Sequence, residues 1–206
     1  MVSSASPEAL TLRERKKIQT RTTLWNTAID LFVRHGFDNV SVAQIAAAAE
    51  VSKMTFFNYF PTKEDLVVGP MSEHTNEMAE TVRNRAPGET PVEALHRHFL
   101  DGLARRDPVT GLCDRPHVLA VQRLIHETPS LTSRALTVLV QMQNGLAEAL
   151  GPTFKDRATA AIISGARDAL TMENTRRLLA GESSDAVYPD AVANANEAFT
   201  LLKTGL

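Results

Sequence analysis

The segment from Ser41 to Leu66 constrains the fold of this chain more than any other part of its sequence. Ser41 is followed three residues later by Gln44, which is the pattern of a capping box that starts a helix. Apolar residues then recur at i, i+3, i+4 and i+7, the spacing of one helix face: Val42, Ile45, Ala46 and Ala49. The pattern predicts a short helix that is buried along one side.

A second short helix is predicted almost at once. Ser52 can cap a helix over residues 53–60, and Pro61 prevents that helix from continuing. Two short helices joined by a tight turn, the second with polar residues at its outward end, predict a helix-turn-helix over residues 41–60. The second helix of such a motif fits the major groove of DNA.

A longer pattern surrounds this motif. In chain order it reads Ala28-x-x-Leu31-Phe32-x-x-x-Gly36-Phe37, Ile45-Ala46, Val51-Ser52 and Thr55-Phe56-Phe57-x-Tyr59-Phe60-Pro61-x-Lys63-Glu64-x-Leu66. With this order and spacing, residues 12–66 resemble the DNA-binding domain of the tetracycline-repressor (TetR/AcrR) family of bacterial transcription regulators. The resemblance implies a DNA-binding domain over residues 11–66 and a domain over 67–206 that binds an effector and dimerises.

One position departs from the family pattern, because the turn of the motif often carries glycine where this chain has Glu50. If Glu50 adopts a left-handed conformation, its side chain costs roughly 1 kcal/mol. We therefore expect a turn that is slightly strained or differently shaped.

The outward residues of the second helix are the candidates for DNA contact. Lysine can donate to guanine acceptors and asparagine can pair with adenine, so Lys53 and Asn58 are expected to read bases. Met54 can contact a thymine methyl group. The resemblance implies phosphate contacts by Thr55, Tyr59 and Lys63, and by a residue that starts a helix, such as Ser41; the alternative is that Thr55 and Tyr59 are only capping and surface residues. The complete predicted set is Ser41, Ser52, Lys53, Met54, Thr55, Asn58, Tyr59 and Lys63.

Two further features of the N-terminal part have two interpretations each. Phe57 packs in the core of the domain or touches a base edge. The basic start of the first helix contacts phosphates or forms a solvated charged face: Arg13, Arg15, Lys16, Lys17 and Arg21.

The charge distribution favours a polyanionic partner, although the whole chain carries a formal net charge of only −2. Residues 1–63 contain eight Lys/Arg against five Asp/Glu, whereas residues 64–206 contain fourteen against nineteen. A basic N-terminal part and an acidic remainder suit a protein that presents one face to DNA. The single Cys113 fits a reducing compartment. Because no apolar run is long enough for a membrane span and no secretory signal is evident, we expect a cytoplasmic protein.

The fold is predicted to be all-α, with about nine helices, because no segment alternates with a period of two residues. The first helix opens at a Thr11–Glu14 capping box, ends near Gly36, and places Ile18, Trp25, Ala28 and Phe32 on one side. Residues 107–116 are expected to form a loop. The helices expected after the motif cover about 63–85, a segment from 90 that includes Leu103, then about 117–126, 129–150, 153–180 and 189–203. Thr90 with Glu93 and Thr153 with Asp156 are predicted to cap the helices that start there.

The last two helices are the expected dimer interface, over about 156–180 and 189–203. Each carries a stripe of mainly small residues, which lets helices approach closely in a four-helix bundle; the alternative is that the stripes pack on the chain's own core. A two-fold dimer would read a palindromic double-stranded DNA operator. The stripes are Ala158, Ile162, Gly165, Ala169 and Met172 in one helix, and Ala191, Ala195, Ala198 and Leu202 in the other.

Residues 90–150 are the candidate site for a small hydrophobic effector. They combine apolar side chains with a few polar groups, as a ligand cavity requires, although the same residues could line an ordinary core. The predicted effector contacts are His96, Phe99, Leu103, Leu124, Leu139 and Gln143.

No metal, cofactor or catalytic role is predicted. His96 and His98 are two residues apart and so point to different sides of a helix, unlike a compact pair of zinc ligands. The sequence contains no G-x-S-x-G, P-loop or H-E-x-x-H motif, so we do not expect an enzyme. The favoured function is a ligand-responsive repressor; the alternative is an all-α small-molecule-binding protein or enzyme with an incidental helix-turn-helix. An activator, or a regulator without an effector, remains open.

Overall fold

The computed structural model describes residues 11–205. These residues form helices and no strand, which confirms the all-α prediction. Ten α-helices and one short 3-10 helix, Pro108–Thr110, are present in this range. The α-helices are α1 Leu12–His35, α2 Val42–Ala48, α3 Lys53–Tyr59, α4 Lys63–Ser72, α5 Glu77–Arg83, α6 Pro91–Ala104, α7 Pro116–Glu127, α8 Pro129–Leu150, α9 Phe154–Leu179 and α10 Ser184–Gly205.

The chain divides into two compact units, the first ending at Leu66 and the second beginning at Val67. In the first unit, α1 contacts α2 and α2 contacts α3. The residues of α1 that are fully buried are Leu24, Ala28, Ile29 and Phe32. Ile18, which lies on the same side of α1 by its spacing, is not part of this core, because its side chain is 52% exposed.

The second unit is a bundle in which α8 packs against α5 and α9, and α10 packs against α6 and α9. Its main core includes the fully buried side chains Leu95, Phe99, Leu103 and Phe199. None of the helices within residues 11–205 combines the length and apolarity needed to cross a bilayer. The same range holds no group of three or more His, Cys, Asp or Glu side chains arranged to bind a metal ion.

Local capping chemistry decides where most helices begin. The predicted capping boxes are confirmed at the starts of α1, α2, α6 and α9. In each, a Ser or Thr hydroxyl accepts from the backbone N–H three residues later, and the side chain there accepts from the capping residue's own N–H. The four capping residues are Thr11, Ser41, Thr90 and Thr153.

Two predicted helix boundaries differ from the structure. The single helix expected over 63–85 is two helices, α4 and α5. Pro70 lies inside α4 without an N–H to donate, and the chain then turns where Thr75 Oγ1 donates to Ser72 O at 2.9 Å. α10 begins five residues before Pro189, since the Ser184 N–H is satisfied by Asp114 Oδ2 at 2.8 Å.

Candidate DNA-binding interface

The turn between α2 and α3 is closed by two backbone hydrogen bonds. Val51 N donates to Ala46 O at 2.9 Å, and Glu50 N donates to Ala47 O at 3.1 Å. This pair of bonds is the Schellman ending of a helix, which requires a left-handed residue between them. Glu50 is that residue, with φ of 54°. The expected strain is therefore present, in a turn that keeps its regular shape.

Two aromatic anchors fix the rotation of α3 in its domain. Phe56 and Phe60 are buried, with ring centroids 5.9 Å apart. At the start of the helix, Ser52 Oγ accepts from Thr55 N at 2.9 Å, and the Ser52 and Thr55 hydroxyls share a bond of 2.8 Å. The buried rings and the N-cap together determine which side of α3 faces outward.

The outward side of α3 carries four exposed residues: Lys53, Met54, Phe57 and Asn58. The last three follow at i, i+3 and i+4, so their side chains are neighbours on one helix face. Met54 is 71% exposed and Phe57 is 50% exposed, with the Phe57 ring edge-on to Phe56 at 5.5 Å. Half of the Phe57 surface is thus available outside the core. Such an arrangement offers a cation, an amide and two apolar groups to one partner surface.

Thr55 and Tyr59 are both half-buried and lie beside this outward face. Ser41 is exposed at the start of α2, where its hydroxyl is already engaged with Gln44. The Ser41 hydroxyl donates to Gln44 Oε1 at 2.8 Å and accepts from Gln44 N at 3.3 Å. Any phosphate bound by Ser41 must therefore compete with the side chain of Gln44.

Lys63 has a structural partner that its position in the sequence did not indicate. Its Nζ donates to Phe37 O at 2.9 Å and to Val40 O at 3.4 Å, and lies 4.2 Å from the centroid of the Phe37 ring. An ammonium group has three donors, so one remains for a ligand. The side chain therefore holds the loop between α1 and α2, besides the phosphate contact expected of it.

The predicted effector residues lie in different surroundings. His96 stacks on Phe199 at 4.8 Å, its Nε2 is 2.9 Å from Asn196 Oδ1, and burial lowers its pKa. Phe99 and Leu103 are fully buried in the main core. The other three are half-buried on α7 and α8: Leu124, Leu139 and Gln143. None of the six lines the open surface depression of about 440 Å³ around Arg105 to Arg115, or that of about 550 Å³ around Arg83 to Pro91.

A charged cluster inside the second unit was missed by sequence reasoning. Glu77 Oε1 is 3.2 Å from His98 Nε2, and Glu77 Oε2 is 3.1 Å from His74 Nδ1. The hydrogen bond from His98 lowers the pKa of Glu77. The Arg167 guanidinium lies 5.7 Å from the Phe99 ring centroid and forms no hydrogen bond or ion pair within residues 11–205. His74 and Glu77 are three residues apart, but Glu77, His98 and Arg167 come from separate helices, so no sequence spacing connects those three.

The two small-residue stripes have different surroundings. On α9, four of the five predicted residues are exposed: Ile162, Gly165, Ala169 and Met172. On α10 the alternative interpretation holds, because Ala191, Ala195 and Leu202 are buried in the core against α6 and α9. Their small side chains allow α10 to approach its own neighbours closely.

The fold and the outward face of α3 define a helix-turn-helix domain that is followed in the chain by an all-α bundle. A family model described as bacterial regulatory proteins, tetR family, matches residues 24–68. The HTH-type transcriptional regulator TcmR of Streptomyces glaucescens is 33% identical over 144 residues, which is 69% of this chain and 64% of TcmR. Over its helix-turn-helix domain the chain is thus similar to the tetR family of bacterial regulatory proteins, and the likeness to TcmR extends beyond that domain. Its match spans less than two thirds of the length of TcmR.

Solved structures share the fold at low sequence identity. NalD of Pseudomonas aeruginosa, the secondary repressor of the MexAB-OprM multidrug efflux pump, is 16% identical with a TM-score of 0.58. That likeness covers 89% of this chain and 97% of NalD. FadR of Thermus thermophilus, solved with lauroyl-CoA, is 23% identical with a TM-score of 0.52, over 90% of this chain and 94% of FadR.

Proposed function

We propose that this protein is a transcriptional regulator that binds a palindromic operator as a homodimer and is released from it by a small effector. The outward face of α3 carries this proposal. It offers Lys53, Met54 and Asn58 on a short helix whose rotation is fixed by buried Phe56 and Phe60. As a regulator of bacterial genes it would act in the cytoplasm, where the chromosome is.

Base recognition is assigned to three exposed residues on the outward face of α3. Lys53 donates to guanine acceptors, Asn58 pairs with adenine, and Met54 contacts a thymine methyl group. Phosphate contacts position the helix without specifying sequence. They are assigned to Ser41, Ser52, Thr55, Tyr59 and the remaining donor of Lys63.

Dimerisation is assigned chiefly to the exposed stripe of α9. Ile162 is 49% exposed and Met172 is 64% exposed, and the small Gly165 and Ala169 lie between them. On α10, Leu201 is a further apolar side chain that is 66% exposed. Covering these groups with a second copy removes apolar surface from water, at about 25 cal/mol per Å².

The effector is assigned to the side of the bundle formed by α7 and α8. α7 is amphipathic, yet none of its side chains is fully buried in the single chain. Leu124, Leu139 and Gln143 lie on these two helices, half-buried. A small apolar molecule held between them would release DNA by preferring a conformation in which the two recognition helices cannot both reach the operator.

The test is fluorescence polarisation with labelled DNA from the region upstream of the gene. A regulator binds one palindromic site at least a thousandfold more tightly than a scrambled duplex, with affinity that falls steeply as salt increases. An all-α ligand-binding protein or enzyme with an incidental helix-turn-helix would bind both duplexes weakly and alike. A candidate effector must raise the melting temperature and also release the operator.

A further inference from the structure

The side of α9 that faces the bundle carries a row of four polar side chains at i, i+3, i+7 and i+10, which places them on one helix face: Ser164, Arg167, Thr171 and Asn174. The last two have partners in the short 3-10 helix. Asn174 Nδ2 donates to Thr110 O at 2.9 Å, and Thr171 Oγ1 donates to Val109 O at 3.5 Å. Half of the row is thus explained by the fold of the chain.

Ser164 and Arg167 lack such partners. Ser164 is 5% exposed, and its Oγ forms no hydrogen bond within residues 11–205. Arg167 forms no hydrogen bond or ion pair in the same range, and its guanidinium carbon lies 5.7 Å from the centroid of the Phe99 ring. Buried polar groups are nearly always hydrogen-bonded, and a buried charge is costly unless it is paired. Two unsatisfied donors on adjacent turns of α9 therefore point to an acceptor from outside the chain.

The carboxylates that act electrostatically on Arg167 do not serve as that acceptor. Both oxygens of Glu77 are engaged by histidine nitrogens, at 3.1 and 3.2 Å. Asp107 pairs with Arg105 at 3.7 Å. Asp168 forms no ion pair with Arg167 in the described part of the chain, and burial raises the pKa of Asp168. The N–H donors of the Arg167 guanidinium are therefore available to a ligand.

The two unpaired groups differ in how a ligand can reach them. Each nitrogen of Arg167 keeps some accessible surface, whereas Ser164 Oγ keeps almost none. A ligand bonded to Arg167 therefore reaches Ser164 only after side chains around α9 have shifted. α9 packs against both α7 and α8, the helices to which the effector is assigned. A ligand that bonds both groups would thus prefer a rearranged bundle.

We propose that Arg167 and Ser164 form a binding site for the carboxylate of a small, partly apolar ligand. A carboxylate accepts two parallel N–H bonds from the planar fork of a guanidinium, and its charge offsets that of the cation. The Ser164 hydroxyl supplies a further donor. The buried Phe99 ring beside the guanidinium offers an apolar surface to the rest of the ligand. The inference rests on the proposed function and deepens it, because it gives the effector a chemical class.

The test is isothermal titration calorimetry of the full chain with two matched pairs of probes near neutral pH. The pairs are hexanoate with hexanamide and benzoate with benzamide. The members of a pair are alike in size and shape but differ in charge. Wild-type protein should bind at least one carboxylate about tenfold to a hundredfold more tightly than its amide, as expected for hydrogen bonds to a charged group.

Three variants locate the site. Arg167→Met should lose the preference for the carboxylate, because it removes the guanidinium. Ser164→Ala should weaken carboxylate binding by about twofold to tenfold, since it removes one neutral donor. The matched control, Arg176→Met, removes an arginine of the same helix that is paired with Glu173 at 2.7 Å, and it should bind as wild type does. Circular dichroism and operator affinity verify that each variant is folded.

Two results would overturn the inference: wild-type protein that binds neither carboxylate better than its amide, or a preference that survives in Arg167→Met. Equal losses in Arg167→Met and Arg176→Met would also contradict it, because the effect would then be general electrostatic attraction. If Arg167→Met does not fold, Ser164→Ala decides, and an unchanged carboxylate affinity in that variant would refute the site.

These outcomes are separate from those of the proposed function, since none of them affects operator binding by α3. Carboxylate binding that depends on Arg167 but leaves operator affinity unchanged would support the site and contradict effector control. Wild-type protein that fails to prefer its operator would remove the regulatory function itself, whatever the calorimetry shows.

Discussion

Replacing Glu50 by glycine should stabilise the N-terminal unit. Glu50 occupies the left-handed position of the Schellman turn, with φ of 54°. A residue with a Cβ costs roughly 1–2 kcal/mol in that conformation, whereas glycine adopts it freely. Glycine also gains about 0.4–1 kcal/mol of conformational freedom in the unfolded chain, which opposes the effect. The expected net gain is therefore roughly 0.5–1 kcal/mol.

The control is Glu50→Ala, which removes the same carboxylate but keeps the Cβ. Glu50 is exposed and its N–H bond to Ala47 O is a backbone bond, so neither variant removes a side-chain contact of the fold. If the strain argument is correct, Glu50→Gly alone should gain stability. For a unit of this size, 0.5–1 kcal/mol corresponds to a rise in melting temperature of about 2–8 °C.

Differential scanning calorimetry of the three proteins measures this rise in the transition of the N-terminal unit. Equal melting temperatures for Glu50→Gly and Glu50→Ala, both above wild type, would refute backbone strain. They would assign the gain to the lost negative charge instead. Unchanged stability in Glu50→Gly would mean that the turn holds Glu50 at no net cost relative to glycine.

Four further outcomes are expected. Lys53→Ala and Asn58→Ala should each weaken operator binding by about 1–3 kcal/mol and relax preference at separate base pairs, measured with operator variants. Gly165→Glu should give a folded monomer by light scattering, because no atom within 4 Å meets an added Cβ in the single chain. Arg167→Met should raise the melting temperature. Burial lowers the pKa of the Arg167 guanidinium, because burying its charge costs free energy that methionine would not cost. A lower melting temperature would show that the attraction of Arg167 to Glu77 outweighs this desolvation cost. The pKa of Glu77 is lowered in the folded protein, so its ionised carboxylate stabilises the fold above about pH 4.5, and this stability is lost as the pH falls. Glu77→Gln should therefore make the stability depend less on pH in the acid range.

The features that the sequence predicted well depend on neighbours along the chain. A capping box needs only two residues three positions apart, and all four predicted boxes are present. The outward face of α3 follows from the spacing of Phe56 and Phe60, which are buried. The left-handed turn at Glu50 followed from the spacing of the two helices and the family pattern.

The features that the sequence did not predict depend on contacts between distant residues. Lys63 donates to carbonyl groups 23 and 26 positions earlier, and no local pattern encodes that distance. The interaction of Glu77 with His98 joins α5 to α6, and Arg167 comes from α9. Ile18 shares the spacing of a buried face but lies too near the helix start to reach the core.

The stripes on α9 and α10 show why spacing alone leaves an interface undetermined. Both are rows of mainly small residues at helical spacing, yet one is exposed and the other is buried. α10 packs against both α6 and α9, so its stripe is used within the chain. α9 contributes Ala160, Ile163 and Leu170 to the same core from its other side, and within residues 11–205 four of the five stripe residues stay exposed. A substitution meant to break the dimer must therefore be placed at Gly165, because Glu at Ala195 would disrupt the bundle and report on folding instead.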